Sequence, residues 1–139
     1  EEYSRRLSRY CKLDIIQVAD EKTPDGASAA LEEQIKEKEG ERILSNIKDG
    51  SFVVALAIEG TMLNSVELAS QIETWGVSGI SRVDFVIGGS LGLSKAVLAR
   101  SDYKLSFSRM TFPHQLMRVL LLEQLYRSWR IIQGQPYHK

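Results

Sequence analysis

The sequence predicts an α/β domain with a mainly parallel sheet, because strand-like and helix-like stretches alternate along the chain. Residues 52–58 and 83–87 are continuous apolar runs, which are typical of parallel strands buried on both faces. A long, almost wholly apolar helical pattern follows Pro113. The 139 residues are enough to bury one core, so we expect residues 1–139 to form a single domain.

Two elements are expected near the start of the chain. Residues 1–10 have the pattern of a helix end, and residues 13–19 (LDIIQVA) are rich in the β-branched residues of a strand. Because the chain begins inside a helical pattern, we expect that a preceding segment, with an N-terminal strand, is missing. The arginines of this helix are interpreted as a solvated surface: Arg5, Arg6 and Arg9.

The elements that follow alternate between helix and strand. The first helix, at 29–48, is capped by Ser28 and contains Gly40, which either weakens it or permits a close approach. The others are a strand at 52–58, a turn at 59–61, a helix at 65–75 capped by Ser65, a strand at 83–87, a short helix at 94–100, a strand at 103–107 and a helix after Pro113.

Charge and cysteine content exclude several classes of protein. The chain has 18 basic and 18 acidic residues, so its net charge gives no argument for nucleic acid or membrane binding. Residues 109–139 nevertheless hold five cations against one carboxylate, which suits either a phosphate-facing surface or the C-terminal end of a long helix. Cys11 is the only cysteine, which fits a reducing cytoplasm. We expect no membrane-spanning segment and no metal site.

The helix after Pro113 has two interpretations. A helix that is apolar nearly all round must be covered on more than one side. It is therefore either a central helix of the core or a helix shared between the core and a partner subunit.

Three strand ends could bind a ligand, because ligands of parallel sheets lie outside the carboxyl ends of the strands. These ends lie at 56–60, 87–92 and 107–112. The loop IGGSLG at 87–92 contains glycines that allow close approach of a ligand to the backbone, although a tight strand-to-helix turn explains them equally well. The loop matches neither the dinucleotide fingerprint nor the P-loop.

Three separated motifs together resemble the RlmH family: FVIGGSLGL, LSFSRMTFPHQLMRVLLLEQLYRSW and the closing PYHK. These are bacterial SPOUT-class methyltransferases that N3-methylate a pseudouridine in large-subunit ribosomal RNA. LDIIQVADEK and EKEGERIL also resemble the family, so the resemblance extends over essentially the whole chain. It implies a SPOUT-type α/β knot made by the C-terminal segment, a homodimer with its site near the subunit interface, and S-adenosylmethionine as cofactor.

The resemblance also implies the residues of the site. The cofactor-binding positions would be Leu56, Gly88, Gly89, Gly92, Phe107, Ser108, Arg109, Met110, Thr111 and Phe112. Candidates for a catalytic role are His114, Arg118 and His138. RNA recognition would use Arg118, Arg127, Arg130, Tyr137, His138 and Lys139, since arginine suits phosphate and Tyr or His can stack on a base. Arg118 and Arg127 could instead form internal ion pairs or caps.

Methyl transfer requires in-line positioning more than acid–base groups. We therefore expect no strong dedicated base, and expect water or a C-terminal polar group to accept the proton. A neutral protein binds free RNA weakly, so an assembled ribosomal particle is the expected substrate. Two alternatives stay open: a non-catalytic α/β module that binds RNA or a small ligand, and a related SPOUT enzyme that acts on transfer RNA.

Overall fold

A computed structural model describes residues 2–17, 24–88 and 91–137 of the chain. The elements in these ranges are α1 (Glu2–Leu7), α2 (Ala29–Leu44), β1 (Phe52–Met62), α3 (Ser65–Val77), β2 (Val83–Val86), α4 (Lys95–Arg100), β3 (Tyr103–Ser106) and α5 (His114–Ile132). The alternation of helix and strand predicted from residue 29 onward is confirmed.

The three strands form one parallel sheet in the order β2-β1-β3. β1 is central, and its residues Val53, Val54 and Ala55 are fully shielded from solvent. In register, Ala55 lies opposite Val86 of β2, and Leu56 lies opposite Leu105 of β3. The predicted parallel sheet is therefore confirmed, with the most apolar run of the sequence at its centre.

The end of β1 differs from the prediction. A turn was expected at residues 59–61, but the strand continues to Met62. Leu56 and Thr61 both lie opposite Leu105, so residues 57–60 form a bulge between two pairings with the same residue. The turn prediction was wrong because residues 59–61 remain within β1, where Gly60 allows a close approach to the backbone of β3.

The strand predicted at residues 13–19 is also wrong for the part that the structure describes. Residues 13–17 have no regular secondary structure, and residues 18 and 19 lie outside the described ranges. Ile15 and Ile16 are 47% and 57% exposed. A β-branched composition fits a strand, but a strand also needs a neighbouring edge with which to form hydrogen bonds, and no described strand pairs with this segment.

Helices pack on both faces of the sheet. On one face, Leu68 and Trp75 of α3 contact Val54 and Leu105 in a buried cluster. On the other face, Val97 of α4 forms a cluster with Val53 and Val86, against which the end of α2 packs. Burying each of these large side chains contributes about 1.5–3 kcal/mol, so the two clusters fix the sheet between its helices.

α5 packs against α3 and α1. Leu122 and Tyr126 of α5 form a buried cluster with Leu7 of α1. The Ser65 hydroxyl of α3 donates a hydrogen bond of 2.7 Å to the Gln124 side-chain oxygen. α5 is therefore covered by two helices, as a nearly all-apolar helix requires.

Polar caps set the starts of three helices. Ser28 accepts a hydrogen bond from the Leu31 amide at 3.1 Å, which confirms it as the cap of α2. α3 is capped by Asn64 rather than Ser65, and Asn64 forms a reciprocal capping box with Glu67. Ser94, placed inside a helix by the sequence pattern, is the cap of α4 and is almost fully buried.

Gly40 provides the close contact between α2 and α4. A Cβ atom at this position would overlap the Ser94 hydroxyl and lie 3.0 Å from the Ser94 Cβ. Of the two roles considered for Gly40, the structure therefore confirms close approach.

We expect Gly40→Ala to lower the free energy of unfolding by about 1–3 kcal/mol, because the new methyl group overlaps the buried cap of α4. Gly76→Ala in α3 is the matched control, since nothing lies within 4 Å of its added Cβ. This control should raise the free energy of unfolding by up to about 1 kcal/mol, because alanine favours the helix. Urea unfolding of both variants measures the two changes, and an equal effect would contradict the assignment.

Candidate functional site at the carboxyl edge of the sheet

Three predicted cofactor segments meet at one edge of the sheet. β1 lies between β2 and β3, and the registers place Ala55 beside Val86 and Leu56 beside Leu105. Since all three strands run parallel, the residues that follow them emerge on the same side. Leu56, Gly88 and Phe107 are thus brought to the carboxyl edge of the sheet, where ligands of such sheets bind.

Leu56 and Phe107 form an apolar surface at this edge. Both side chains are half-buried and pack against the cluster that contains Val54 and Leu105. A flat aromatic ligand could rest on this surface without leaving a buried polar group unpaired.

The glycine turn after β2 is tightly packed. A Cβ atom at Gly88 would lie only 2.7 Å from the Gly92 carbonyl carbon and 2.9 Å from its oxygen. Gly92 itself has a φ of +91°, which side-chain-bearing residues rarely adopt. Gly89 lies outside the described residues. Both described glycines are therefore required by the turn, and Gly92 is exposed, so its backbone atoms are accessible there.

The segment 107–112 leads from β3 into α5 and is held by local hydrogen bonds. The Ser106 hydroxyl donates to the Ser108 carbonyl at 3.1 Å, and the Met110 amide donates to the Ser108 hydroxyl at 2.9 Å. Phe107, Ser108 and Phe112 are half-buried, whereas Arg109, Met110 and Thr111 are exposed. The segment therefore has three partly buried and three exposed side chains next to the carboxyl edge of the sheet.

Gly60 belongs to the strand end predicted at 56–60, but the sequence did not reveal its close packing against β3. A Cβ atom there would lie 2.7 Å from the carbonyl carbon and oxygen of Lys104 and 2.9 Å from the Leu105 carbonyl carbon. These are backbone atoms that cannot move aside, so only glycine lets the end of β1 pass this close to β3. The only signal in the sequence was a glycine shortly after a buried strand, and it was interpreted as a turn.

Two of the catalytic candidates lie at the start of α5. His114 is the first residue of the helix, and its ring nitrogen is 3.4 Å from the Gln115 side-chain nitrogen. Arg118 is one turn later and donates a long hydrogen bond of 3.4 Å to the Gln17 side-chain oxygen. Both therefore lie in the first two turns of the helix that follows the 107–112 segment. His138 lies outside the described residues.

The structure gives Arg127 internal contacts. Its guanidinium forms a salt bridge of 2.6 Å with Glu123 and lies 4.8 Å from the Tyr137 ring centroid. The hydrogen bond from Arg127 to Glu123 raises the pKa of Arg127 above its ordinary value. The Tyr137 hydroxyl donates to the same carboxylate at 3.0 Å. The internal role considered for Arg127 matches this arrangement, and RNA contact by Arg127 stays a prediction.

Arg130 holds the returning tail against α5. It donates to the Tyr10 hydroxyl at 3.3 Å, to the Gln135 side-chain oxygen at 3.2 Å and to the Pro136 carbonyl at 2.7 Å. Tyr10 in turn donates to Gln135 at 2.6 Å. Together with Tyr137, these contacts fold residues 133–137 back over α5 and α1. Lys139 lies outside the described residues.

The tail and the cofactor edge lie at different places along α5. Tyr137 packs on the ring of Tyr126 and bonds Glu123, nine residues after His114. At the rise of an α-helix, nine residues span about 14 Å. Within one chain, the tail therefore does not lie beside the start of α5.

The described ranges contain neither a metal-binding cluster nor a membrane-spanning helix. No group of three or more His, Cys, Asp or Glu side chains there is arranged to hold a metal ion. No helix in the same ranges is long and apolar enough to cross a membrane.

Comparison with known proteins identifies relatives over the whole length of the chain. A family model described as "Predicted SPOUT methyltransferase" matches residues 1–138. The ribosomal RNA large subunit methyltransferase H of Clostridium tetani is 64% identical over 139 residues, which span 100% of this chain and 87% of that protein. The proteins of the same name from Clostridium beijerinckii and Bifidobacterium adolescentis are each 63% identical, over 100% and 99% of this chain and 87% of theirs.

The phenol of Tyr137 should titrate unusually late. Burial, and then its hydrogen bonds with Tyr3 and Glu123, raises the pKa of Tyr137 to about 12 from the ordinary 10.0. Because the pKa of this phenol is higher in the folded than in the unfolded state, the protonated phenol stabilises the fold at pH values below the pKa of the unfolded state. This stabilisation is lost as the pH rises through the pKa of the folded state. Between pH 10 and 12, the stability of Tyr137→Phe should therefore fall less steeply than that of the unaltered chain.

An ultraviolet absorbance titration measures the same property directly. The difference between the unaltered chain and Tyr137→Phe should show one phenol that ionises near pH 12. If the missing phenol ionises near pH 10, the tail does not shield Tyr137 in solution.

Proposed function

The chain belongs to the SPOUT methyltransferase family, and we propose that it transfers a methyl group from S-adenosylmethionine to ribosomal RNA of the large subunit. The observation that carries the proposal is the convergence of Leu56, Gly88 and the 107–112 segment at the carboxyl edge of the parallel sheet. The names of relatives that are 63–64% identical support RNA of the large ribosomal subunit as the substrate. The activity would be that of one domain, residues 1–139, acting in the cytoplasm.

The residues at the edge fit the proposed cofactor. Gly88 has no space for a side chain and Gly92 is exposed with a positive φ, so backbone atoms at these two positions could contact a ligand closely. Leu56 and Phe107 would pack against the adenosine, and residues 108–112 would enclose it. When bound, S-adenosylmethionine supplies an electrophilic methyl group on a sulfonium. Holding that group in line with the attacking nitrogen can lower the barrier by about 7–11 kcal/mol.

We infer from the resemblance that the target atom is N3 of a pseudouridine. This nitrogen must lose a proton during the reaction. The raised pKa of Tyr137, about 12, keeps its phenol protonated at neutral pH, so Tyr137 does not act as a base. His114, at the start of α5, would orient the base or the water that takes the proton, and Arg118 would contact the RNA backbone.

We also propose that two copies associate and that the C-terminal part of the chain is knotted. Leu116 and Val119, three residues apart on α5, are 46% and 50% exposed, which is unusual for an apolar helix surface and suits a second copy. Because Tyr137 lies about 14 Å along α5 from His114, a tail acting at the cofactor edge would come from that copy. The knot is inferred from membership of the SPOUT methyltransferase family.

The function is tested by incubating the protein with S-adenosylmethionine and large-subunit or 70S particles that lack the modification. Mass spectrometry of the digested RNA should find one new methylated pseudouridine. Gly88→Val should abolish both methylation and cofactor binding by calorimetry, because its side chain overlaps the Gly92 backbone. Gly50→Val, where nothing lies within 4 Å, is the matched control and should remain active. Methylated transfer RNA, or no cofactor binding by the unaltered chain, would contradict the proposal.

Mixed dimers test whether the tail acts on the partner's site. A chain cut after Pro136 should bind the cofactor but fail to methylate RNA, and Gly88→Val should fail at the cofactor step. In a heterodimer of the two, one of the two sites combines an intact cofactor edge with an intact tail. Since about half of the dimers in a random mixture are heterodimers, the mixture should recover about one quarter of full activity. A mixture that stays inactive would show that each tail serves its own chain.

A further inference from the structure

A basic cavity lies between α1 and α5, away from the cofactor edge. Its volume is about 310 Å³, and its lining consists of Glu2, Arg5, Arg6, Arg9, Tyr10 and Tyr126. We propose that this cavity binds a phosphate group of the RNA backbone and so helps to hold the substrate. The inference rests on the proposed function, since it takes ribosomal RNA to be the substrate.

The cavity carries more positive charge than its own carboxylate neutralises. Three arginines line it, together with one acidic residue. Arg5 and Arg6 share Glu2, at 2.6 Å and 2.7 Å. Arg9 is exposed, and within the described part of the chain its side chain makes no hydrogen bond or ion pair. The arginines therefore retain donors for a further anion.

Arg130 adds a fourth positive charge behind the cavity wall. The guanidiniums of Arg6 and Arg130 lie 5.5 Å and 5.9 Å from the centroid of the same ring, that of Tyr126. The hydrogen bond to Tyr10 raises the pKa of Arg130, while the charge of Arg6 opposes that rise. An anion at this place would reduce the repulsion between the two cations.

The chemistry of the lining favours a phosphate over other anions. Guanidinium groups present a planar fork of donors that matches phosphate oxygens with two hydrogen bonds at once. The chain has no net charge, so attraction of RNA has to come from local clusters such as this one. Tyr10 connects the cavity to the tail, because it lines the cavity and also bonds Arg130 and Gln135. A phosphate in the cavity would therefore lie next to the part of the chain proposed to contact the RNA.

The test compares two double variants that remove the same charge. Arg5→Gln/Arg9→Gln alters the cavity, and Lys38→Gln/Lys48→Gln alters two exposed lysines of α2 and the turn that follows it. Affinity for large-subunit particles is measured at several salt concentrations. The arginine variant should bind about 10-fold more weakly, and its slope of log affinity against log salt should become shallower by about 0.7 per lost contact. The lysine variant should match the unaltered chain, and cofactor affinity should be unchanged in both.

Each other result has a definite meaning. Equal weakening in both variants would indicate non-specific charge and overturn the inference, as would no weakening in either. Loss of the dimer in the arginine variant would show that the cavity binds a second copy instead of RNA. If the double variant unfolds, Arg9→Gln alone is measured, since Arg9 has no partner to lose in the described chain. If the unaltered chain binds particles but does not methylate them, the proposed function is contradicted but the phosphate site in the cavity is not. If the arginine variant methylates RNA and binds particles as well as the unaltered chain, only the phosphate site is contradicted.

Discussion

The parallel pairing of β1 with β2 and β3 is the constraint on which the rest of the structure depends. Three residues of β1 have no exposure to solvent: Val53, Val54 and Ala55. A shift of β1 by one residue would therefore exchange the side chains that face α3 with those that face α4. That register places the ends of all three strands at one edge. The candidate site is therefore a consequence of core packing, and its three segments need no direct contact with one another to be held together.

The sequence predicted those parts of the fold that depend on neighbours in the chain. The apolar runs of β1 and β2 and the cap at Ser28 were recognisable because each depends on a few adjacent residues. The strand predicted at 13–19 failed because its composition does not specify a partner strand. Gly60 was misinterpreted because its neighbours, Lys104 and Leu105, are more than forty positions away along the sequence.

The polar residues of α5 show a similar limit. An arginine in an apolar helix can pair internally or face a ligand, and both roles give the same sequence pattern. The structure pairs Arg127 with Glu123 and directs Arg130 to the carbonyl of Pro136. These two side chains stabilise the returning tail, so their contribution to RNA binding would be through the position of the tail. By contrast, Arg5, Arg6 and Arg9 are exposed, as the interpretation of a solvated surface predicted.

The bulge in β1 gives this edge of the sheet a way to tolerate insertions and deletions. The strand leaves its ladder with β3 after Leu56 and resumes it at Thr61, opposite the same residue. Its pairing with β2 has already ended at Ala55. An insertion or deletion of one residue at positions 57–59 would therefore change only the size of the bulge. Gly60 would still bring the chain back to its pairing with β3. Evolution could thus reshape the rim of the binding edge without disturbing the buried sheet below it.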